Sequence, residues 1–140
     1  MIRKATKEDI HVIATYMVAL WPYHTAAEME SELEDLMEQK ETAFFLAEEG
    51  GFAQCGLRHD YVEGTESSPV GYLEGIYVAE EAREQGVARK LLAACEAWAK
   101  EKGCREFASD CELTNTQSLK FHLSVGFEEA NRIICFTKKL

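Results

Sequence analysis

The chain has 140 residues, 46% of them apolar and 10% aromatic, which is enough for one domain with a substantial core and excludes a disordered chain. Fifteen basic against twenty-five acidic residues give a formal charge of −10. Such a surface repels phosphate backbones and anionic lipid, so no nucleic-acid or membrane partner is expected, whereas a cationic small molecule is attracted.

The five cysteines, Cys55, Cys95, Cys104, Cys111 and Cys135, are odd in number and contain no Cys-x-x-Cys pair. They read as small core residues in a reducing compartment, and no metal site is expected. Met1-Ile-Arg-Lys runs directly into the polar Thr6-Lys-Glu-Asp9, unlike a signal peptide. No apolar run approaches the roughly twenty residues that cross a bilayer. A cytoplasmic location is the expectation.

In chain order, Ile2 to Ala5 predicts a short strand, and Thr6-Lys7-Glu8-Asp9 a capping signal for a helix from about Glu8 to Leu20. Pro22 interrupts it. A second helix is predicted from Ala26 to Glu38, with Met29, Leu33, Leu36 and Met37 on one face. Thr42 to Glu48 and Phe52 to Val62 form strands joined by the turn Glu49-Gly50-Gly51. Glu63 to Pro69 is a polar loop, and Val70 to Val78 is a long apolar strand. Val87 to Lys102 is the clearest helix, with Val87, Leu91, Cys95 and Trp98 at helical spacing, and Gly103 stops it. Glu106 to Ser109 is a short strand and Thr116 to Val125 a helix ending at Gly126. Phe127 to Lys138 predicts one or two closing strands. This order indicates an α+β domain with a mixed sheet, spanning residues 1–140.

The most informative segment is Arg83-Glu-Gln-Gly86-Val-Ala88-Arg89, where an apolar strand turns into an amphipathic helix. The first N–H groups of a helix lack internal partners and carry the positive end of its dipole, so phosphate oxygens are natural acceptors there. Gly86 lets a ligand approach, Ala88 keeps the next side chain small, and Arg83 and Arg89 add charge. No Gly-Lys-Ser/Thr follows, so this is not a Walker loop. Arg-x-x-Gly-x-Ala alone is a weak pattern.

With Asn115 downstream and the closing Leu123-Ser-Val-Gly126-Phe127, the combination resembles the GNAT acyltransferases. The resemblance covers essentially the whole chain. It implies a GNAT fold, a central mixed and mostly antiparallel sheet of six to seven strands flanked by about four helices, with acetyl-CoA as co-substrate. It implies that main-chain N–H groups from Gln85 through Gly86, Val87 and Ala88 to Arg89 hold the pyrophosphate. Ile76, Tyr77 and Val78 pair with the pantetheine arm, and Asn115 bonds nearby. Gly75 is where a β-bulge is expected, since a glycine inside a strand commonly marks one. In the family that bulge splays the strand away from the one near Phe107.

On the acceptor side, Glu74 interrupts an apolar run, so it faces a wet cleft, a cation, or both. Asp110 ends the next strand, and Trp21 and Tyr61, taken singly, read as core residues. Together, Leu20-Trp21, Asp60 to Val78, Glu106-Phe-Ala-Ser-Asp110 and Phe136-Thr-Lys-Lys-Leu140 resemble the aminoglycoside 6′-N-acetyltransferases. That resemblance implies a 6′-amino acceptor, with Trp21 and Tyr61 bordering the sugar cleft and Glu74 and Asp110 binding its ammonium groups. An acidic residue before the penultimate strand falls on Glu129 or, in another register, is replaced by Asn131. It also implies a homodimer, some relatives exchanging C-terminal strands.

Either Glu74 or Asp110, directly or through water, can take the proton from the acceptor amine, and the N–H of Ile76 or a near neighbour can polarise the thioester oxygen. Many members place a tyrosine four residues before the closing glycine to protonate the departing thiolate; here His122 stands there. A helix-surface histidine is the competing reading. Two further functions fit the same sequence: acetylation of another amine, such as a polyamine, metabolite or protein amino group, and a non-catalytic acyl-CoA-binding module.

Overall fold

The structure, a computed structural model, describes residues 1–140. Five strands lie in sequence order across one sheet: β1 (Ile2–Lys4), β2 (Thr42–Ala47), β3 (Gly51–Arg58), β4 (Val70–Val78) and β5 (Phe107–Ser109). The first four form an antiparallel meander, and β5 joins β4 in parallel. Four helices accompany them: α1 (Ile10–Leu20), α2 (Ala26–Leu36), α3 (Val87–Glu101) and α4 (Thr116–Ser124).

The alternation in β2 decides where the helices go. Phe44 and Leu46 point to one face and pack with Ile13, Ala14 and Met17 of α1 and Met29 and Leu33 of α2. Ala43, Phe45 and Ala47 point to the other face and meet Val87, Leu91, Leu92, Cys95, Trp98 and Ala99 of α3. The central strands are covered on both sides, which is why they read as near-continuous apolar runs. The small residues Ala43, Ala47 and Ala53 on the α3 face leave room for Trp98 and the two leucines of that helix. The approach to α1 is fixed at its start. Arg3 donates to both oxygens of Asp9, at 2.8 and 2.7 Å, and the Thr6 N–H donates to the same carboxylate at 2.8 Å. No helix is long and apolar enough to cross a membrane.

Two expectations change. The closing segment beyond Phe127 forms no strand, so the sheet has five strands rather than six or seven. Ile133, Ile134 and Phe136 have strand-forming side chains but are 74%, 80% and 86% exposed. A strand exists only by pairing, and within one chain this segment meets no ladder. The third strand also ends at Arg58 rather than Val62, because Val70, its partner there, is the first residue of β4 and no pairing residue lies beyond it.

Hydrogen bonds from Arg3 hold the Asp9 carboxyl down to about 2, against burial, which pushes it up; the Thr6 N–H adds to the lowering. A depressed acid stabilises the fold above its unfolded pKa near 4 and loses that contribution as pH falls towards 2. With Arg3 half exposed, Asp9→Asn is expected to lower stability at pH 7 by on the order of 1 kcal/mol. Denaturant midpoints of the two proteins should converge between about pH 4 and pH 2. A gap that is constant with pH would contradict this reading.

Candidate active site

The site begins with a miscount between two strands. Ala53 faces Ile76 and Gln54 faces Gly75, but Cys55 faces Leu73, leaving Glu74 as the extra residue of β4. The bulge therefore lies at Glu74, not at Gly75 as expected. Its consequence is a change of phase: Leu73 and Ile76, three apart, both pack on the α3 face, which a regular strand forbids. β5 follows β4 only from Gly71 to Leu73, and past that point the edge of β4 has no partner on that side.

What that edge offers follows from the ladder. The Ala79 N–H donates to the Gly50 carbonyl at 2.9 Å, so, counting back in twos, Tyr77 also directs its main chain to β3. Ile76 and Val78 direct theirs outward, and the Val78 carbonyl accepts from Arg83 Nε at 2.9 Å. Of the three residues expected to pair with a ligand, Tyr77 is the one whose main chain is turned away. Its ring instead packs against Tyr16, with centroids 5.7 Å apart.

The same edge leads into the turn before α3. Glu84 is left-handed at φ 63° and Gly86 at φ 76°, so the chain turns sharply twice before the helix. Between Gln85 and Arg89 no main-chain N–H donates to any protein acceptor; the first bond of the helix runs from Lys90 N to Gly86 O at 3.1 Å. Nothing lies within 4 Å of where a Gly86 side chain would begin. Val87 is buried beneath the turn and Ala88 is half-buried. Arg83 and Arg89 donate to carbonyls, of Val78 and Ser124, rather than to carboxylates, so their charge is not neutralised. Gln85 bonds the Glu81 carbonyl at 3.2 Å. Five free amides, two cations and an open glycine fit an anionic diphosphate. Asn115 caps α4 through its Oδ1, 3.1 Å from the Ser118 N–H, which leaves its Nδ2 to face outward.

Beyond the bulge lie the carboxylates. Glu74 accepts from Arg58, with Nη2 at 2.9 Å from Oε1 and Nε at 3.3 Å from Oε2. The Arg58 guanidinium in turn sits over the Tyr72 ring, 3.5 Å from its centroid, and the Tyr72 hydroxyl donates a short hydrogen bond to Asp110. Burial and that bond to Asp110 push the Tyr72 phenol far above its usual range, so it stays a donor. Glu74, Arg58, Tyr72 and Asp110 thus form one continuous chain. Trp21 lies close against Gly75: a side chain there would meet the indole at 2.8 Å. The glycine serves the tryptophan, while the neighbouring glutamate makes the bulge.

Tyr61 is 75% exposed on the loop between β3 and β4, its hydroxyl accepting from Gly64 N at 3.3 Å. Glu106 holds that loop through Ser67 and the Glu66 N–H, which keep its carboxyl below the usual range. The Glu129 carboxylate is occupied by Arg132 at 2.6 Å, and Asn131 reaches Glu63 at 3.2 Å, so this segment abuts the loop that carries Tyr61.

His122 reaches the point where the strands part. Its Nδ1 is 2.7 Å from the Ser118 carbonyl, which can only accept, so Nδ1 carries the hydrogen. Its Nε2 is 2.8 Å from Ser109 Oγ, itself 3.3 Å from the carbonyl of Leu73, the last residue of β4 that pairs with β5. When neutral, the ring accepts from Ser109; when protonated, it donates there. Arg58, Tyr72 and Ser109 were not singled out by the sequence. Arg58 closes a strand and Tyr72 sits in an apolar run, and only the shifted register brings both to Glu74.

Residues 11–127 match the family model described as the Acetyltransferase (GNAT) family. The chain is 45% identical to the aminoglycoside N(6′)-acetyltransferase type 1 of Stenotrophomonas maltophilia, over 99% of this chain and 93% of that protein. It is 44% identical to the protein of that name from Salmonella enteritidis, over 99% and 98%. Among solved structures it resembles AAC(6′)-Iy in complex with the bisubstrate analog CoA-S-monomethyl-acetylneamine, with a TM-score of 0.93 at 40% identity, covering 100% of this chain and 98% of that one.

Gly75→Ala is expected to expel Trp21 from its seat at a cost of about 1–3 kcal/mol. Trp98 stays buried on the opposite face, so a red shift of tryptophan emission with the fold retained would report Trp21 alone. An unchanged spectrum would contradict the seating described.

Proposed function

The chain belongs to the GNAT acetyltransferase family, and from that premise we propose that it transfers an acetyl group from acetyl-CoA to the 6′-amine of aminoglycosides. The observation that carries the proposal is the row of unbonded amides from Gln85 to Arg89, continuous with the open edge of β4 and ending at the carboxylates of Glu74 and Asp110. Acetyl-CoA, when bound, supplies the activated acyl group and the thiolate leaving group. Gln85, Gly86, Val87, Ala88 and Arg89 hold the diphosphate, with Arg83 and Asn115 beside it, and Ile76 and Val78 offer main-chain bonds to the pantetheine arm.

Two closed caps would have argued against a ligand here, and neither exists: no side chain accepts from the α3 amides, and no strand covers Ile76. The Ile76 N–H, directed outward just past the bulge, polarises the acyl oxygen. Asp110 takes the proton from the acceptor ammonium, and Glu74 orients the amine. His122, with Nε2 linked to Ser109, returns a proton on the opposite side. Trp21 borders the acceptor, Tyr61 flanks it from the loop, and Glu129 lies at its outer rim. The charge of −10 draws in a polycation.

The 140 residues act as one catalytic domain. Acetyl-CoA is made inside cells, and five free cysteines, three of them buried, suit the reducing cytoplasm as the compartment. The exposed Ile133, Ile134, Phe136 and Leu140 give the chain an apolar tail that a second copy of the chain would cover, forming a homodimer. Light scattering should return twice the monomer mass, and Phe136→Glu should shift the protein towards monomer. A wild-type monomer at micromolar concentration would contradict the dimer.

A thiol-release assay tests the activity. CoA should appear with aminoglycosides that carry a 6′-amine and not with those that lack it. Gly86→Val, which places a β-branched side chain at a left-handed position over the amides, should raise the acetyl-CoA KM by at least about tenfold. Binding of acetyl-CoA with no transfer to any amine would favour the non-catalytic module. Transfer only to other amines would replace the substrate class.

A further inference from the structure

A cleft lined by two carboxylates has a difficulty that the reaction must overcome. An alkylammonium titrates far above neutrality, and each adjacent carboxylate raises its pKa further, holding it in the form that cannot attack. Arg58 bears on this directly. It is the cation of the cleft, held to Glu74 at 2.9 and 3.3 Å and seated on the Tyr72 ring at 3.5 Å. The charged and titratable groups around the acceptor position are Arg58 from β3, Glu74 and Tyr72 from β4, and Asp110 beyond β5, with His122 of α4 behind Ser109, Tyr61 on the loop and Glu129, paired with Arg132, at the rim; the end of α1 contributes only Leu20 and Trp21. His59, next to Arg58, is taken up by Glu41 at 2.7 Å.

We propose that Arg58 is a positioning residue that cancels the charge of Glu74 at the acceptor site, so that a bound amine loses its proton more readily. The inference rests on the acetyl-transfer reading given above. With Arg58 in place the carboxylate of Glu74 still offers lone pairs to orient the amine. The pair is neutral, and Asp110 remains the one uncompensated carboxylate. The proton on the ammonium nitrogen passes to Asp110, directly or through water, and the nitrogen lone pair it leaves attacks the acyl carbon; the carbon–sulfur bond breaks, CoA leaves as a thiolate that takes a proton from His122, and the second proton of the nitrogen goes to solvent water. The two demands on the cleft, to hold a cation and to release its proton, are divided between Asp110 and the Arg58–Glu74 pair.

The arginine is part-exposed but held from two sides, by the Glu74 carboxylate and the Tyr72 ring. It lies at the end of β3 opposite Val70, and the bulge brings Glu74 round to meet its fork. A guanidinium can stack on a ring and present two parallel donors at once, whereas an ammonium cannot.

The signature in kinetics is specific. Arg58→Ala should hold the substrate ammonium more tightly and react with it more slowly. At pH 7, kcat and the acceptor KM should fall together by about tenfold, with kcat/KM little changed, and the rising limb of the kcat–pH profile should move up by about one unit. Arg58→Lys restores the cation and should return that limb towards its wild-type position. A fall in kcat that is equal at every pH with KM unaltered, or Arg58→Lys behaving as Arg58→Ala, would overturn the proposal. A measurement without substrate tests the clamp itself. The Arg58 Nε–H NMR signal, assigned by its loss in Arg58→Lys, should be protected from solvent exchange in wild type and lose protection in Glu74→Gln. A protected signal in an enzyme that acetylates no aminoglycoside would overturn the proposed function and leave the clamp standing; an unprotected signal in wild type would overturn the clamp.

Discussion

A strand that carries one residue more than its neighbour must change which face its side chains address. In β4 that residue is Glu74, and the rest of the site depends on it. Leu73 and Ile76 both stay on the α3 face, so the core remains closed on either side of the irregularity. The price is a local bend, and β5 follows β4 for three residues before the two part. Main-chain groups of Ile76 and Val78 are thereby left without a neighbouring strand, in line with the free amides that start α3. One extra residue leaves an open strand edge between the free amides that start α3 and the carboxylates of Glu74 and Asp110.

The same irregularity organises the charges. Glu74, unpaired in the ladder, meets Arg58 from the adjacent strand, and Tyr72 carries the arrangement on to Asp110. Neither carboxylate is a bare surface charge. One is matched by a guanidinium and the other accepts from a phenol held in its neutral form. Trp21 is seated on the bulge because Gly75 offers no side chain to oppose it. The seat of Trp21 and the carboxylate that meets Arg58 are built on consecutive residues of one strand.

How much of this was legible in the sequence depended on the range of the forces involved. The open turn before α3 was legible because its ingredients are local: Gly86, Ala88 and the helix start lie within one turn of chain. The helices were legible for the same reason, since Leu91, Cys95 and Trp98 recur at a helical period. The pairing of Arg58 with Glu74 was not, because it depends on a register that shifts by one at the bulge. Placing the bulge at Gly75 missed by one residue; the glycine is required there by the indole of Trp21, a contact between residues far apart in the sequence and invisible to local pattern. The closing strands were predicted from side chains that do favour strands. Propensity cannot supply a partner, and Ile133, Ile134 and Phe136 are left exposed in a single chain.

The central claim is that free amides and an unpaired strand edge grip one extended ligand. It is tested most directly by following individual backbone amides by NMR as CoA is added. The account predicts large shifts and exchange protection at Gln85 through Arg89 and at Ile76 and Val78, with the Tyr77 amide, bonded to β3, little changed. Saturable binding of CoA that leaves the amides of residues 85–89 untouched would contradict it.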